Sequence, residues 1–115
     1  LKEILREPWD VVHAWEEPYI RAGAQIARYV PADAKFVFRT AQSLNKWYPP
    51  PFSLYERRCL GRADGWLCSG KLVAENLRGR LDYADKPHDV IPLGFDASAF
   101  FPNATAGAEC LRRLD

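Results

Sequence analysis

Four stretches of this 115-residue chain hold the side chains from which a binding or catalytic site could be built. They are Trp15-Glu16-Glu17-Pro18-Tyr19, the run from Thr40 through Gln42, Ser43, Asn45 and Lys46 to Tyr48, then Ser69-Gly70-Lys71 and Gly94-Phe95-Asp96. Each follows a short apolar run, and together they offer hydroxyls, amides, carboxylates and aromatic rings. That mixture suits a polyhydroxylated ligand, because a sugar presents donors and acceptors around its edge and apolar C–H faces that lie against aromatic side chains. Glu16 and Glu17 have a second reading, as charge complementing the N-terminal dipole of a following helix. His13, set inside an apolar run, reads as a core histidine with its hydrogen bonds satisfied.

The apolar runs are Val11-Val12-His13-Ala14-Trp15, Phe36-Val37-Phe38, Trp66-Leu67-Cys68 and Val90-Ile91-Pro92-Leu93, beginning 25, 30 and 24 residues apart. Continuous runs suit strands buried on both faces, and spacings of this size leave room for a crossover helix between parallel neighbours. In an open α/β sheet, ligands gather beyond the carboxyl ends of the strands, which is where the polar stretches fall. The expected fold class is therefore α/β: a partial Rossmann-like open parallel sheet of about four strands with flanking helices. The first predicted helix has Pro18 in its opening turn, Ile20, Ala24, Ala27 and Val30 toward the core, Arg21, Gln25 and Arg28 outward, and a stop at Pro31. The second opens on a capping box of Ser53 and Glu56 and runs to about Arg62, with Tyr55, Cys59 and Ala63 along one side. The third is capped by Ser69, carries Leu72, Val73 and Leu77, and ends at Gly79. Residues 1–7 read as the end of an earlier helix, 94–107 as a linker and 108–115 as the start of a further helix. The chain reads as a piece of a longer one.

Sixteen Lys and Arg against fifteen Asp and Glu leave a net charge of +1, too weak a field for sequence-independent nucleic-acid binding, so no nucleic-acid partner is expected. With 48% hydrophobic and 27% charged residues the chain is neither disordered nor a coiled coil. A chain of this length can bury about two thirds of its unfolded surface in one core. No apolar run approaches the roughly 18 residues of a membrane span, and no secretory signal opens the chain. Cys59, Cys68 and Cys110 are odd in number and form no C-x-x-C pair, which points to a reducing, cytoplasmic setting. With only His13 and His88 beside them, no metal site is expected. Gly65 to Leu72 comes within one residue of a phosphate-loop pattern, but Gly65 precedes its apolar run and Leu72 lacks the hydroxyl that binds magnesium, so the segment reads as a strand turning into a helix. Asn103-Ala104-Thr105 fits the glycosylation pattern by chance. Arg39, Lys46, Arg57, Arg58 and Arg62 against Glu56 total +4 within 24 residues, interleaved with Trp47, Tyr48, Phe52 and Tyr55. The last three arginines read as a solvated helix face, and the functional version of the cluster is peripheral contact with phospholipid headgroups at the inner face of a membrane.

Residues 10–19, 36–52, 62–65, and 90–96 through Phe100-Phe101-Pro102 resemble the retaining glycosyltransferases of family four, in order and spacing, across residues 9–102. The pieces Ile91-Pro92-Leu93-Gly94-Phe95-Asp96 and Phe101-Pro102 resemble the family's linker signature. The resemblance implies two Rossmann-like domains facing across a cleft, the GT-B arrangement, with 1–93 as the C-terminal half of the N-terminal, acceptor-side domain and 94–115 as interdomain linker and start of the next segment. It implies glycosyl transfer from a nucleotide sugar to a carbohydrate or lipid-linked acceptor, with the donor as substrate and neither metal nor other cofactor. Many members carry His-x-His-Glu-Pro after the first of these strands, and their second His lies beside the donor sugar; that place falls here on Trp15, or on Glu16 with one residue inserted. A catalytic residue is therefore not assigned. The expected substrate-binding residues are Trp15, Glu16, Glu17, Gln42, Asn45, Lys46 and Ser69. The family's Gly-rich acceptor loop and its nucleotide-sugar site fall outside these residues, so the 115 residues alone are expected to be inactive and to self-associate through an open strand edge. The alternative is a free-standing α/β binding or interaction module.

Overall fold

The computed structural model describes residues 1–80 and 82–113. A 3-10 turn, Ile4–Arg6, precedes β1 (Val11–Ala14), α1 (Arg21–Tyr29), β2 (Lys35–Thr40), α2 (Phe52–Arg62), β3 (Gly65–Cys68), α3 (Lys71–Arg78), β4 (His88–Val90) and α4 (Ala104–Arg112). The strands form one all-parallel sheet in the order β1-β2-β3-β4, with Val12 opposite Phe36, Phe38 opposite Trp66 and Trp66 opposite His88. This is the Rossmann-like partial α/β sheet that the spacing of the apolar runs predicts. Right-handed crossovers between sequential parallel strands put every connecting helix on the same side of the sheet. There Ala27 of α1, Cys59 and Leu60 of α2, and Val73, Ala74 and Leu77 of α3 join Phe36, Phe38, Trp66 and Cys68 in one core.

The other side of the sheet is open, which corrects the expectation of strands buried on both faces. In β1, Val11 and His13 are exposed while Ala14 is buried; in β2, Lys35 is exposed and Val37 half-buried between buried neighbours. His13 is thus a surface histidine on the uncovered face and not a core one. A run of apolar residues cannot report which of its two faces will be covered.

Several local signals are overruled. Pro18 is buried ahead of α1, and the helix starts three residues later at Arg21; Ala24 and Ala27 face inward and Arg21, Gln25 and Arg28 outward, as predicted. α2 has no capping box: Pro51 occupies the cap position, the amides of Leu54 and Tyr55 donate to its carbonyl at 3.1 Å, and Glu56 turns into the core. Gly70, not Ser69, caps α3, with Gly79 at its end, while Leu72 is exposed and Val73, Ala74 and Leu77 are buried. Arg62 leaves the solvated face of α2, because its Nη2 donates to the carbonyls of Pro31 at 2.6 Å and Ala34 at 2.7 Å; Arg57 and Arg58 stay exposed. The last strand comes earlier than its apolar run: Ile91 still donates to the Cys68 carbonyl at 2.8 Å, then Pro92, which has no N–H, ends the ladder. Residues 1–7 hold a 3-10 turn, and α4 begins at Ala104 and not at 108; positions 114 and 115 of that expected helix lie outside the described residues.

Candidate functional site

β1, β2 and β3 run parallel, so their carboxyl ends deliver the following loops to one edge of the sheet. Trp15, Glu16 and Glu17 after β1, Arg39 and Thr40 at the end of β2, and Ser69 after β3 line a cleft of about 170 Å³. Glu17 is not helix-capping charge. Its Oε2 accepts from Thr40 Oγ1 at 2.5 Å and its Oε1 from the Ala41 amide at 2.7 Å, tying the loop after β1 to the end of β2. Gly23 lets α1 pack closely against the backbone of this loop, since a Cβ there would lie 2.6 Å from the Glu17 carbonyl oxygen.

Glu16 is the uncommitted carboxylate: half-buried in the cleft, it makes no hydrogen bond among the described residues. Trp15 is 67% exposed, with the Arg39 guanidinium carbon 4.3 Å from its ring centroid. Arg39 is itself buried, and its Nη2 donates to the Ile91 carbonyl at 2.7 Å, so a fixed positive charge stands behind the ring. An open carboxylate, a hydroxyl at Ser69, a held cation and an aromatic surface therefore meet in one place. These groups can bind the hydroxyls of a polar ligand and cover an apolar face of it.

The other three expected residues lie elsewhere. Gln42 Nε2 donates to the Tyr48 hydroxyl, and its Oε1 accepts from the Leu44 amide at 3.0 Å, so the amide shapes its own loop. Tyr48 is buried and stacks on Tyr19 with centroids 4.3 Å apart; burial, followed by the neighbouring Tyr19, pushes its pKa up to about 12. Asn45 and Lys46 border a second cleft of about 250 Å³, shared with Trp47, Ser53 and Arg57 of the loop and α2. Beneath it, the Glu56 carboxylate accepts from Arg80 Nη2 at 2.9 Å on each oxygen and from the Tyr83 hydroxyl at 2.9 Å. Burial, reinforced by the Glu56 charge, raises the Tyr83 pKa. Arg80 also donates to the Lys46 carbonyl and Asn76 to the Ser43 carbonyl, fastening the loop from below.

Arg39 and Thr40 are cleft residues outside the expected substrate-binding set, although Thr40 opens one of the four candidate stretches. Their signal was there, a cation and a hydroxyl closing an otherwise apolar strand. Glu56 and Arg80 had none, because residues 24 positions apart pair only once α2 and the turn after α3 are packed. No family model, curated protein or solved structure gives a significant match to the chain. Among the described residues, no group of three His, Cys, Asp or Glu side chains is disposed to hold a metal ion, and no helix is long and apolar enough to cross a membrane.

Proposed function

We propose that these residues form part of a cytoplasmic, nucleotide-sugar-dependent retaining glycosyltransferase and supply the acceptor-side wall of its active-site cleft. The observation that carries the reading is the unpaired Glu16 carboxylate beside Trp15, Arg39 and Ser69 at the carboxyl ends of three parallel strands. Glu16 and Ser69 orient sugar hydroxyls, Trp15 covers an apolar ring face, and Arg39 adds a fixed positive charge. Retaining transfer draws on this kind of positioning, together with electrostatic stabilisation of the departing diphosphate by groups across the cleft. The linker-like segment 91–102 carries the family resemblance into this proposal, while Trp15 and Glu16, standing where many members have their second His, depart from it.

The deciding assay compares two proteins with a panel of nucleotide sugars. The gene product that contains these residues is expected to transfer sugar with retained configuration, and the purified 115-residue chain is expected neither to transfer nor to hydrolyse a donor. Turnover by the 115 residues alone overturns the assignment of the donor site to another domain. Absence of transfer by the whole product favours the binding-module alternative.

A further inference from the structure

We propose that the loop 43–49 and the outer face of α2 form a docking surface for anionic lipid, independent of the cleft at the strand ends and of any glycosyl transfer. Trp47 is 78% exposed, the highest exposure of any large apolar residue among those described, and Leu44 of the same loop and Phe52 and Leu54 in the first turn of α2 are exposed as well. Folding normally withdraws such residues from water. Here the loop is held from below instead. Arg80 grips the Lys46 carbonyl, Asn76 grips the Ser43 carbonyl, and Tyr48, next after Trp47, is buried and stacked on Tyr19. Trp47 and its neighbours are therefore presented on a fixed support.

The charges say what the surface faces. Lys46 and Arg57 share the cleft with Trp47, and Leu54, Arg57 and Arg58 fall three and four positions apart on the exposed side of α2. Among the described residues, Arg57 and Arg58 have no ion-pair partner. The single acid between positions 41 and 62 is Glu56, which is buried and already paired with Arg80. The patch thus combines uncompensated cations with tryptophan and aliphatic side chains, the combination that settles at a negatively charged membrane surface: the cations stay with the headgroups and the apolar groups enter the acyl boundary. Ser53 and Asn45, on the same cleft, add donors for a headgroup phosphate. A single-stranded nucleic acid could stack on Trp47 and Phe52, but it leaves Leu44 and Leu54 unused and the net charge of +1 provides no long basic track, so it fits less well.

The test is sedimentation of the purified chain with vesicles of phosphatidylcholine alone and of phosphatidylcholine enriched in phosphatidylglycerol. Binding is expected to the anionic vesicles only and to weaken as salt rises. Arg57→Gln and Arg58→Gln should each lower partitioning about fivefold, and Trp47→Ala about tenfold. Trp9→Phe, in a separate groove beside β1, should change nothing. The substituted side chains are exposed, and circular dichroism checks that each variant folds. As a second readout, brominated lipid should quench tryptophan fluorescence in the unsubstituted chain and in Trp9→Phe, and largely lose that effect in Trp47→Phe. The proposal is overturned by failure to bind anionic vesicles, by equal binding to neutral ones, by quenching that survives in Trp47→Phe, or by a single-stranded oligonucleotide that displaces the chain from vesicles.

Discussion

Two adjacent carboxylates, Glu16 and Glu17, have opposite duties. Glu17 is structural, because both of its oxygens are committed to the end of β2. Glu17→Ala strands the Thr40 hydroxyl and the Ala41 amide and should lower stability by about 1–3 kcal/mol. Glu16 makes no hydrogen bond or ion pair among the described residues. Glu16→Gln should leave stability within about 0.5 kcal/mol of the parent while weakening ligand binding or transfer about tenfold, the weight of one charge-assisted hydrogen bond. Urea unfolding read beside activity checks both, and equal losses at Glu16 would return it to the structural class. The cysteines make a second contrast. Burial, with the Glu56 charge beside it, pushes the Cys59 thiol up to about 12, and Cys68 is buried, whereas Cys110 is exposed. A thiol reagent should therefore titrate one cysteine in the folded chain and three after denaturation. Rapid modification of a second thiol under native conditions would contradict the burial of Cys59 in α2 or of Cys68 in β3.

At the scale of elements, Asp64 joins the start of β2 to the end of α2. Its carboxylate accepts from the Phe36 amide and from Lys35 Nζ, each at 2.9 Å, and from Arg62 at 3.3 Å. These bonds, led by that of the Phe36 amide, hold its pKa below the ordinary carboxylate range. A folded-state pKa below the unfolded one means that ionised Asp64 favours the fold. The contribution is complete above the unfolded value and is lost as pH falls through the lowered one. Asp64→Asn should thus be less stable at neutral pH and converge with the parent in acid, as measured by urea midpoints across that range. Parallel curves for the two proteins would show that Asp64 does not join the elements in this way.

For the whole molecule, the consequence of one-sided helices is exposed apolar surface. β1 is an edge strand, Val11 on it is 56% exposed, and Trp9 and Ile4 stand open beside it. The segment around Phe95, Phe100 and Phe101 does not cover this surface, since all three rings are exposed. An uncovered edge with an apolar border is a template for pairing with another strand. The 115 residues should self-associate, and light scattering at high micromolar concentration checks it. A monomer mass throughout that range would mean that the edge protects itself.

Alternation of apolar runs with helical periodicities made the parallel α/β sheet legible, because those patterns are set by local geometry: about 30 residues for a strand and its crossover, and a helical period in α1 whose Ala24 and Ala27 are in fact buried. The rule that ligands collect at strand carboxyl ends placed Trp15, Glu16, Glu17 and Ser69 together for the same reason. What local pattern misjudged were groups with two competing partners. Ser53 and Glu56 have capping-box spacing, yet Arg80 and Tyr83, distant in sequence, compete for Glu56 and win with a buried, multiply bonded site. Gln42 looked available until Tyr48 was packed within reach of its amide, and Asn45 and Lys46 were carried to a different cleft when that loop was fastened from α3 and the turn beyond it. Local spacing determines which element a residue joins; the choice between partners is made by long-range packing, which brings the stronger of them within bonding distance.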